Sequence, residues 1–229
     1  MDKFIQVKEE FEKLSNPHKA KEMSAYMRNR FKFYGIHTPL RRKAYKPVIS
    51  TDKKCGVIDW EFLDMCWNDE HREFHYIVAD YLVDLHKYIK YEDISKIEKY
   101  VRSNQWWDTI DGLYRIFGFL GLTDKRINAL MLKWSTDEDF WVRRIAIEHQ
   151  LGRKDKTDTD LLKKIIANNF GSTEFFINKA IGWSLRDYSK TNPAWVSDFI
   201  KRHRNSLHSL SIREGSKYIK PKDAGVCYY

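Results

Sequence analysis

Cysteine is scarce in this chain: Cys55, Cys66 and Cys227 stand far apart among 229 residues. No CxxC pair is present, so the sequence indicates neither a zinc ribbon nor a disulfide framework. Widely spaced thiols without such a pattern are typical of proteins that work in a reducing compartment. We therefore expect a cytoplasmic location.

Sequence signals of several other protein classes are missing as well. The chain has no run of 18 apolar residues that would span a membrane, and its first residues lack the basic and apolar regions of a secretory leader. It also lacks a glycine-rich phosphate loop, a GxSxG turn and a Walker motif. We expect neither a membrane association nor a cofactor.

Glycine and proline are also few, with ten and five residues. Three prolines stand where they would begin a helix behind a capping side chain, in Asn16-Pro17, Thr38-Pro39 and Asn192-Pro193. Apolar residues recur at intervals of three and four between them, as in Ile94, Ile97 and Val101. These patterns predict an all-α protein.

Two segments do not follow the helical pattern. The stretch Asp52–Gly56 is polar, and we predict a loop there. The stretch Pro221–Tyr229 has no periodicity, and we predict a loose tail after a single domain that spans 1–220.

The composition and the charge limit the possible partners. Hydrophobic residues make up 42% and charged residues 32%, which is typical of a globular protein. The net charge of +9 favours a polyanionic partner. A lysine-rich solvated surface without such a partner is an equally simple explanation of the charge.

The sequence contains a repeat that is marked by aromatic pairs. The pairs are Trp106-Trp107, Phe140-Trp141 and Phe175-Phe176, spaced by 34 and 35 residues. Each pair opens a predicted helix, and another amphipathic helix precedes it, at Asp93–Arg102, Lys125–Trp134 and Asp158–Asn168. Two helices per unit of this length predict a HEAT-like helical-repeat solenoid, an α-α superhelix with a concave basic cleft.

Three residues occupy matching positions in these repeats. Asp111 follows Trp107 by four residues, so the two share a helix face, and Arg144 and Trp183 take similar places in the next two helices. An aromatic ring beside a carboxylate suits a cationic group. The stripe could equally be a packed seam between helices, although buried charges would then need partners.

His71 and His75 have a spacing that occurs among metal ligands. They stand at i and i+4, as in zinc sites, but Glu73 is misplaced for an HExxH arrangement and no third ligand is evident. We expect no metal site.

Basic residues interleave with aromatic residues in both halves of the chain. Such a pattern suggests a groove that follows phosphates and stacks bases. The members that we single out are Tyr26, Arg28, Arg144, Lys179 and Arg186.

Several ordered blocks make the chain similar to the AlkD-type alkylpurine DNA glycosylases, the HEAT-like DNA alkylation repair family, over about residues 2–220. The blocks are Ala25–Asn29, Gly35–Pro39, Arg72–Phe74, Trp106–Asp111, Phe175–Trp183, Leu185–Tyr188 and Lys190–Pro193. The resemblance implies that Trp107, Asp111, Arg144 and Trp183 line a catalytic cleft, with Tyr26 as a further cleft aromatic.

The resemblance also implies the reaction, which is hydrolysis of the N-glycosidic bond of 3-alkyladenine or 7-alkylguanine in duplex DNA during base excision repair. It implies a monofunctional hydrolase that recognises the lesion through the DNA backbone, with Arg144 on a phosphate. We expect a monomer that is associated with the nucleoid while it acts. Two alternatives stay open: a non-catalytic DNA-binding solenoid that senses damaged or branched DNA, and a protein-binding HEAT scaffold.

Overall fold

The computed structural model describes residues 2–219, so the tail predicted at 221–229 and Cys227 lie outside the described residues. Within 2–219 the backbone forms fourteen α-helices, three short 3-10 turns and no β-strand, apart from one isolated bridge between Lys32 and His71. The all-α prediction is confirmed. None of the described helices is long and apolar enough to cross a membrane. The chain divides into two compact units, with the boundary between Asp93 and Ile94.

The first unit contains six helices and two 3-10 turns. Their bounds are α1 Lys3–Leu14, α2 Pro17–Tyr26, α3 Thr38–Tyr45, α4 Ser50–Cys55, α5 Trp60–Asn68 and α6 Arg72–Asp84, followed by turns at His86–Tyr88 and Tyr91–Asp93. Helices α5 and α6 pack together, and α1 packs against α3 and α5. The buried Glu73 carboxylate accepts hydrogen bonds from the backbone N–H groups of Tyr34, Gly35 and Ile36, which satisfies its charge.

The loop predicted at Asp52–Gly56 is wrong, because helix α4 covers Ser50–Cys55 and Gly56 ends it in a left-handed conformation. Asp52 is buried rather than solvated, and its carboxylate accepts hydrogen bonds from Lys3 Nζ at 2.6 Å and Tyr81 Oη at 3.0 Å. These long-range partners cannot be seen in the local sequence. The predicted cap at Thr38 is also one residue late, since His37 is the N-cap of α3.

The second unit is a row of helix pairs. The helices are α7 Ile94–Val101, α8 Trp107–Leu120, α9 Lys125–Trp134, α10 Phe140–Glu148, α11 Thr159–Ala167, α12 Phe175–Ser189, α13 Pro193–Arg202 and α14 Ser209–Gly215, with a 3-10 turn at Lys154–Lys156. The predicted pairing of an amphipathic helix with a helix that opens on aromatics is confirmed. Contacts run from α8 to α10, from α10 to α12 and from α12 to α14, which is the packing of a helical-repeat solenoid.

Hydrogen bonds between consecutive repeats fix the relative positions of α8, α10, α12 and α14, which are the second helices of the repeats. Arg153 donates to the Gly118 carbonyl, Ser184 Oγ donates to Ile147, and Ser211 Oγ donates to Asn178, each across one repeat length. Each bond satisfies a backbone carbonyl inside the stack. The stacking therefore fixes the relative height of side chains on α8, α10 and α12, on which the site depends.

The aromatic pairs divide into a core row and an outer row. Trp106, Trp141 and Phe176 pack together, with ring centroids 5.7, 5.4 and 4.7 Å apart. Trp106 precedes α8 in an extended conformation, whereas Trp141 and Phe176 are the second residues of their helices. Trp107 therefore matches Phe140 and Phe175, not the second member of each pair.

Candidate active site

The Asp111 side chain lies one turn into α8, on the same face as Trp107 at the start of that helix. Trp107 is partly exposed, in contrast with its buried neighbour Trp106. The Asp111 side chain retains 20% of its surface. The carboxylate predicted from the sequence is thus reachable from solvent at one edge.

The structure brings Arg144 of α10 directly onto Asp111. Arg144 Nε donates to Asp111 Oδ1 at 3.0 Å and Nη2 donates to Oδ2 at 3.2 Å, a bidentate contact. Arg144 Nη1 donates to the carbonyl of Phe176 on α12 at 2.7 Å. Only 2% of the Arg144 side chain is exposed, so protein groups occupy the guanidinium. The phosphate contact implied for Arg144 stays a prediction.

Sequence reasoning missed a second carboxylate in this cluster. Glu148 follows Arg144 by one turn of α10, its side chain is fully buried, and its Oε1 lies 2.8 Å from Arg144 Nη2. Its position at i+4 from an arginine was the available signal, but the same spacing is common on solvated helix faces.

Trp183 of α12 stands among three basic side chains. The Arg144 and Arg186 guanidinium groups lie 5.4 and 5.8 Å from its ring centroid, and Lys179 Nζ lies at 5.7 Å. These distances are within the range of cation–π attraction. The structure therefore brings together Asp111, Arg144 and Trp183, as their matching repeat positions predicted, and it places the basic candidates Lys179 and Arg186 beside Trp183.

Glu214 of α14 holds two of these basic residues in place. Lys179 Nζ and Arg186 Nη1 each lie 3.0 Å from its carboxylate, and Lys217 Nζ lies at 2.8 Å. Hydrogen bonds from Lys217 and Lys179 lower the pKa of Glu214 to about 2. Three cations on one carboxylate leave this edge of the site positive, which favours an anionic ligand such as a phosphodiester.

A pocket of about 490 Å³ continues from Trp183 between α8 and α12. It mixes apolar and basic side chains, among them Tyr114, Phe119, Arg115, Arg153 and Lys190. Arg153 is buried, and its guanidinium donates to the Gly118 carbonyl and to Gln150 Oε1. Burial lowers the pKa of Arg153 to about 10, which still leaves the group charged at neutral pH.

The electrostatics of Asp111 reflect opposing effects. Burial raises the pKa of Asp111 above its usual value, while the Arg144 charge and hydrogen bonds from Arg144 and Glu148 act to lower it. The same group of charges affects Tyr114 on the next turn of α8. Burial, followed by the charges of Glu148 and Asp111, raises the pKa of Tyr114 to about 12.

The remaining predicted residues belong to the first unit. Tyr26 ends α2 and is 73% exposed, and Arg28 follows in a left-handed conformation. Two further arginines of that unit, Arg41 and Arg42, both bind the Asp80 carboxylate. Tyr26, Arg28, Arg41 and Arg42 are all parts of the first unit.

His71 and His75 are both engaged in hydrogen bonds of the first unit. His71 Nδ1 lies 2.9 Å from Asp69 Oδ1, and His75 places its two ring nitrogens on Arg72 and on the Asp69 carbonyl. Among residues 2–219, no group of three or more His, Cys, Asp or Glu side chains is arranged to hold a metal ion.

The chain is similar to a known protein family and to a solved structure. The sequence profile of a family described as DNA alkylation repair enzyme matches residues 7–219. A solved structure described as a predicted DNA alkylation repair enzyme from Enterococcus faecalis aligns with a TM-score of 0.82, at 35% identity over 90% of this chain and 97% of that one. Comparison with curated protein sequences gives no significant match. The chain therefore belongs to the DNA alkylation repair enzyme family, which supports a role in the repair of alkylated DNA with DNA as the partner.

Proposed function

We propose that the protein is a monofunctional DNA glycosylase that hydrolyses the N-glycosidic bond of cationic 3- and 7-alkylated purines in duplex DNA. The observation that carries this proposal is the reachable carboxylate of Asp111, fixed by Arg144 beside the ring of Trp183. The family membership supplies the substrate class of alkylated DNA.

The chemistry of the leaving group explains why one reachable carboxylate is enough. Alkylation of a purine ring nitrogen gives the base a positive charge, so the base departs without the proton that a general acid would supply. Glycosidases for neutral leaving groups need two reachable carboxylates for this reason. Here the second carboxylate, Glu148, is fully buried next to Arg144 and has no contact with solvent.

Asp111 would act on the sugar. As the base leaves, positive charge develops on the deoxyribose ring, and a fixed carboxylate stabilises that charge and orients a water for attack. Trp107 presents a further partly exposed ring one turn away, and an aromatic face adds about 0.5–2 kcal/mol of attraction to a nearby cation.

Lys179 and Arg186 would hold the DNA backbone next to the lesion. Their side chains are about a quarter exposed, and Glu214 orients them toward the ring of Trp183. Trp183 is thereby surrounded by protein cations, so we assign this ring to the phosphate side of the site. The opposite edge, between Trp107 and Asp111, is left for the sugar.

The deciding experiment uses a duplex oligonucleotide with one N-methylated purine. The protein should release the methylated base and leave an abasic strand that breaks only after treatment with hot alkali. The free base is measured by chromatography and the strand by denaturing electrophoresis. Absence of both products after long incubation would remove the proposal.

A second candidate is a DNA-binding repair protein without catalysis. It is favoured by the bidentate pairing of Asp111 with Arg144, which also occurs in purely structural ion pairs. Tight binding of the methylated duplex without base release would support this candidate.

A further inference from the structure

Glu148 is a buried carboxylate for which the glycosylase reaction has no evident use. Its side chain has no solvent exposure, and it points at the cluster that holds Asp111. Arg144 Nη2 contacts both carboxylates, with Asp111 Oδ1 at 2.9 Å and Glu148 Oε1 at 2.8 Å. The two acids therefore meet on a single guanidinium nitrogen.

One guanidinium cannot neutralise two ionised carboxylates in a buried cluster. An excess negative charge without a counter-ion is costly there. Within residues 2–219 neither oxygen of Glu148 accepts a hydrogen bond of good geometry, although both are fully buried. The Asp111 and Glu148 carboxylates are neighbours in this cluster, because Asp111 Oδ1 and Glu148 Oε1 both contact Arg144 Nη2. A proton between the two acids would supply the missing hydrogen bond.

Among residues 2–219, Arg144 supplies the positive charge that acts on Glu148, and the neighbouring groups do not add a second one. Helix α8 presents Asp111 and Tyr114 to it, and α10 itself presents Arg144. The basic residues on this side of α12, Lys179 and Arg186, are bound to Glu214. Helices α9 and α11 turn buried apolar side chains toward the core.

We propose that Glu148 is a positioning residue that stays protonated and donates a hydrogen bond to Asp111, so that the pair carries one negative charge. Burial, which raises the pKa of Glu148 well above its usual value, is consistent with this state. The proton on Glu148 holds Asp111 in its ionised form despite partial burial and leaves Arg144 paired with one anion. The inference rests on the proposed glycosylase function for its catalytic meaning, but not for the protonation state.

The protonation state is tested without any assay of activity. Protein labelled with ¹³C at glutamate Cδ is titrated by NMR between about pH 5 and pH 9, and Glu148→Gln identifies the Glu148 resonance by its loss. We expect that resonance at the position of a protonated carboxyl at pH 7. A resonance that has titrated to the carboxylate position below pH 6 would overturn the proposal.

The positioning role is tested by the pH dependence of single-turnover base release. In the wild type, ionisation of Glu148 at alkaline pH should remove its hydrogen bond to Asp111 and lower the rate. Glu148→Gln keeps a hydrogen-bond donor that cannot ionise, so this alkaline loss of rate should be absent in the variant. Glu148→Leu keeps the volume but removes the donor, so the acidic limb set by Asp111 should move up by about one pH unit.

The outcomes are separable. A hundredfold loss in Glu148→Gln with a normal melting temperature would mean that an ionised Glu148 is needed, and an unshifted profile in folded Glu148→Leu would mean a structural role; both overturn the proposal. The matched control is Glu98→Gln on α7, where the carboxylate binds the exposed Arg102. If the wild type releases no base, the glycosylase function fails, while the NMR titration still decides the state of Glu148.

Discussion

Arg144 and Asp111 are joined by a bidentate ion pair that bridges two repeats, with Nε–Oδ1 and Nη2–Oδ2 distances of 3.0 and 3.2 Å. The carboxylate comes from α8, and the group that orients it comes from α10. Since the stacking of repeats fixes both helices, the direction of the carboxylate is set before any ligand arrives. A site of this kind is sensitive to charge at Asp111 and to packing in the row of aromatics behind it.

Replacement of Asp111 by Asn removes the charge while leaving an oxygen for Arg144. We expect single-turnover base release to fall by about 10²–10³, the usual cost of losing a transition-state stabiliser. DNA affinity should hold or rise slightly, because a negative charge near phosphate is lost. Asp108→Asn, in the first turn of the same helix, is the control and should stay within about twofold. An Asp111→Asn protein as fast as the wild type would make Asp111 a structural residue.

The adjacent tryptophans give a matched pair for separating site from core. Trp107 and Trp183 are partly exposed, so replacement by Ala should reduce base release with a small change in melting temperature. Trp106 is 6% exposed and packs against Trp141 and Phe176, so Trp106→Ala should cost ~3–5 kcal/mol of stability. Melting scans and single-turnover rates for the variants decide. A large melting shift in Trp107→Ala would count against its place in the site.

Salt dependence tests the phosphate contacts. Binding to duplex DNA should weaken linearly in log K against log salt, with a slope of about −0.9 for each phosphate neutralised. Lys179→Ala and Arg186→Ala should each reduce the slope by about one unit. Arg202→Ala is the control, because Arg202 is exposed on α13 and bound to Asp198. A flat salt response of the wild type would favour the protein-scaffold alternative.

Arg144→Ala is a poorer probe of the same contacts. It would leave Asp111 and the buried Glu148 without their shared cation, a change that typically costs 3–5 kcal/mol. Arg144→Lys keeps the charge and is the variant to compare. We expect it to fold and to lose base release, since a lysine cannot make the bidentate contact. Wild-type activity in Arg144→Lys would argue that the fork geometry does not matter.

The helix pairs and the Asp111–Arg144–Trp183 stripe could be predicted because they depend on local periodicity. Helix starts at Trp107, Phe140 and Phe175 follow from aromatic pairs and capping residues, and spacings of three and four place side chains on one face. The repeat length then brings equivalent positions together. Which residue of each aromatic pair begins the helix could not be predicted. Helices α10 and α12 begin at the first residue of the pair, whereas α8 begins at the second, because the backbone at Trp106 is extended.

The features that the sequence did not reveal all depend on long-range partners. In the sequence, Glu148 resembles a member of an exposed i,i+4 ion pair with Arg144. In the structure the pair is buried, because α10 is packed against α8 and α12. The burial of Arg144 likewise depends on a distant partner, because its Nη1 donates a hydrogen bond to the Phe176 carbonyl of the next repeat. The burial of Asp52 cannot be predicted from its polar local sequence, because its partners, Lys3 and Tyr81, lie far away in the chain.

His149 should make the stability of the protein depend on pH. Its ring is fully buried, Nδ1 donates to the Ala146 carbonyl at 2.7 Å, and Nε2 has no hydrogen-bond partner within residues 2–219. Burial and the charge of Arg153 lower the pKa of His149 to about 3, from 6.5 in the unfolded chain. Below about pH 6.5 the His149 ring therefore binds a proton in the unfolded state, whereas in the folded state it stays neutral down to about pH 3.

The free energy of unfolding should fall by about 1.4 kcal/mol per pH unit from this residue as pH drops between those two values. His149→Asn keeps a donor for Ala146 and cannot titrate, so its free energy of unfolding should decline less steeply between pH 6.5 and pH 4.5. Urea denaturation followed by circular dichroism at several pH values measures the two slopes. His18→Asn is the control, because His18 is exposed on α2, and it should keep the wild-type slope. Equal slopes for the wild type and His149→Asn would show that His149 accepts a proton in the folded protein.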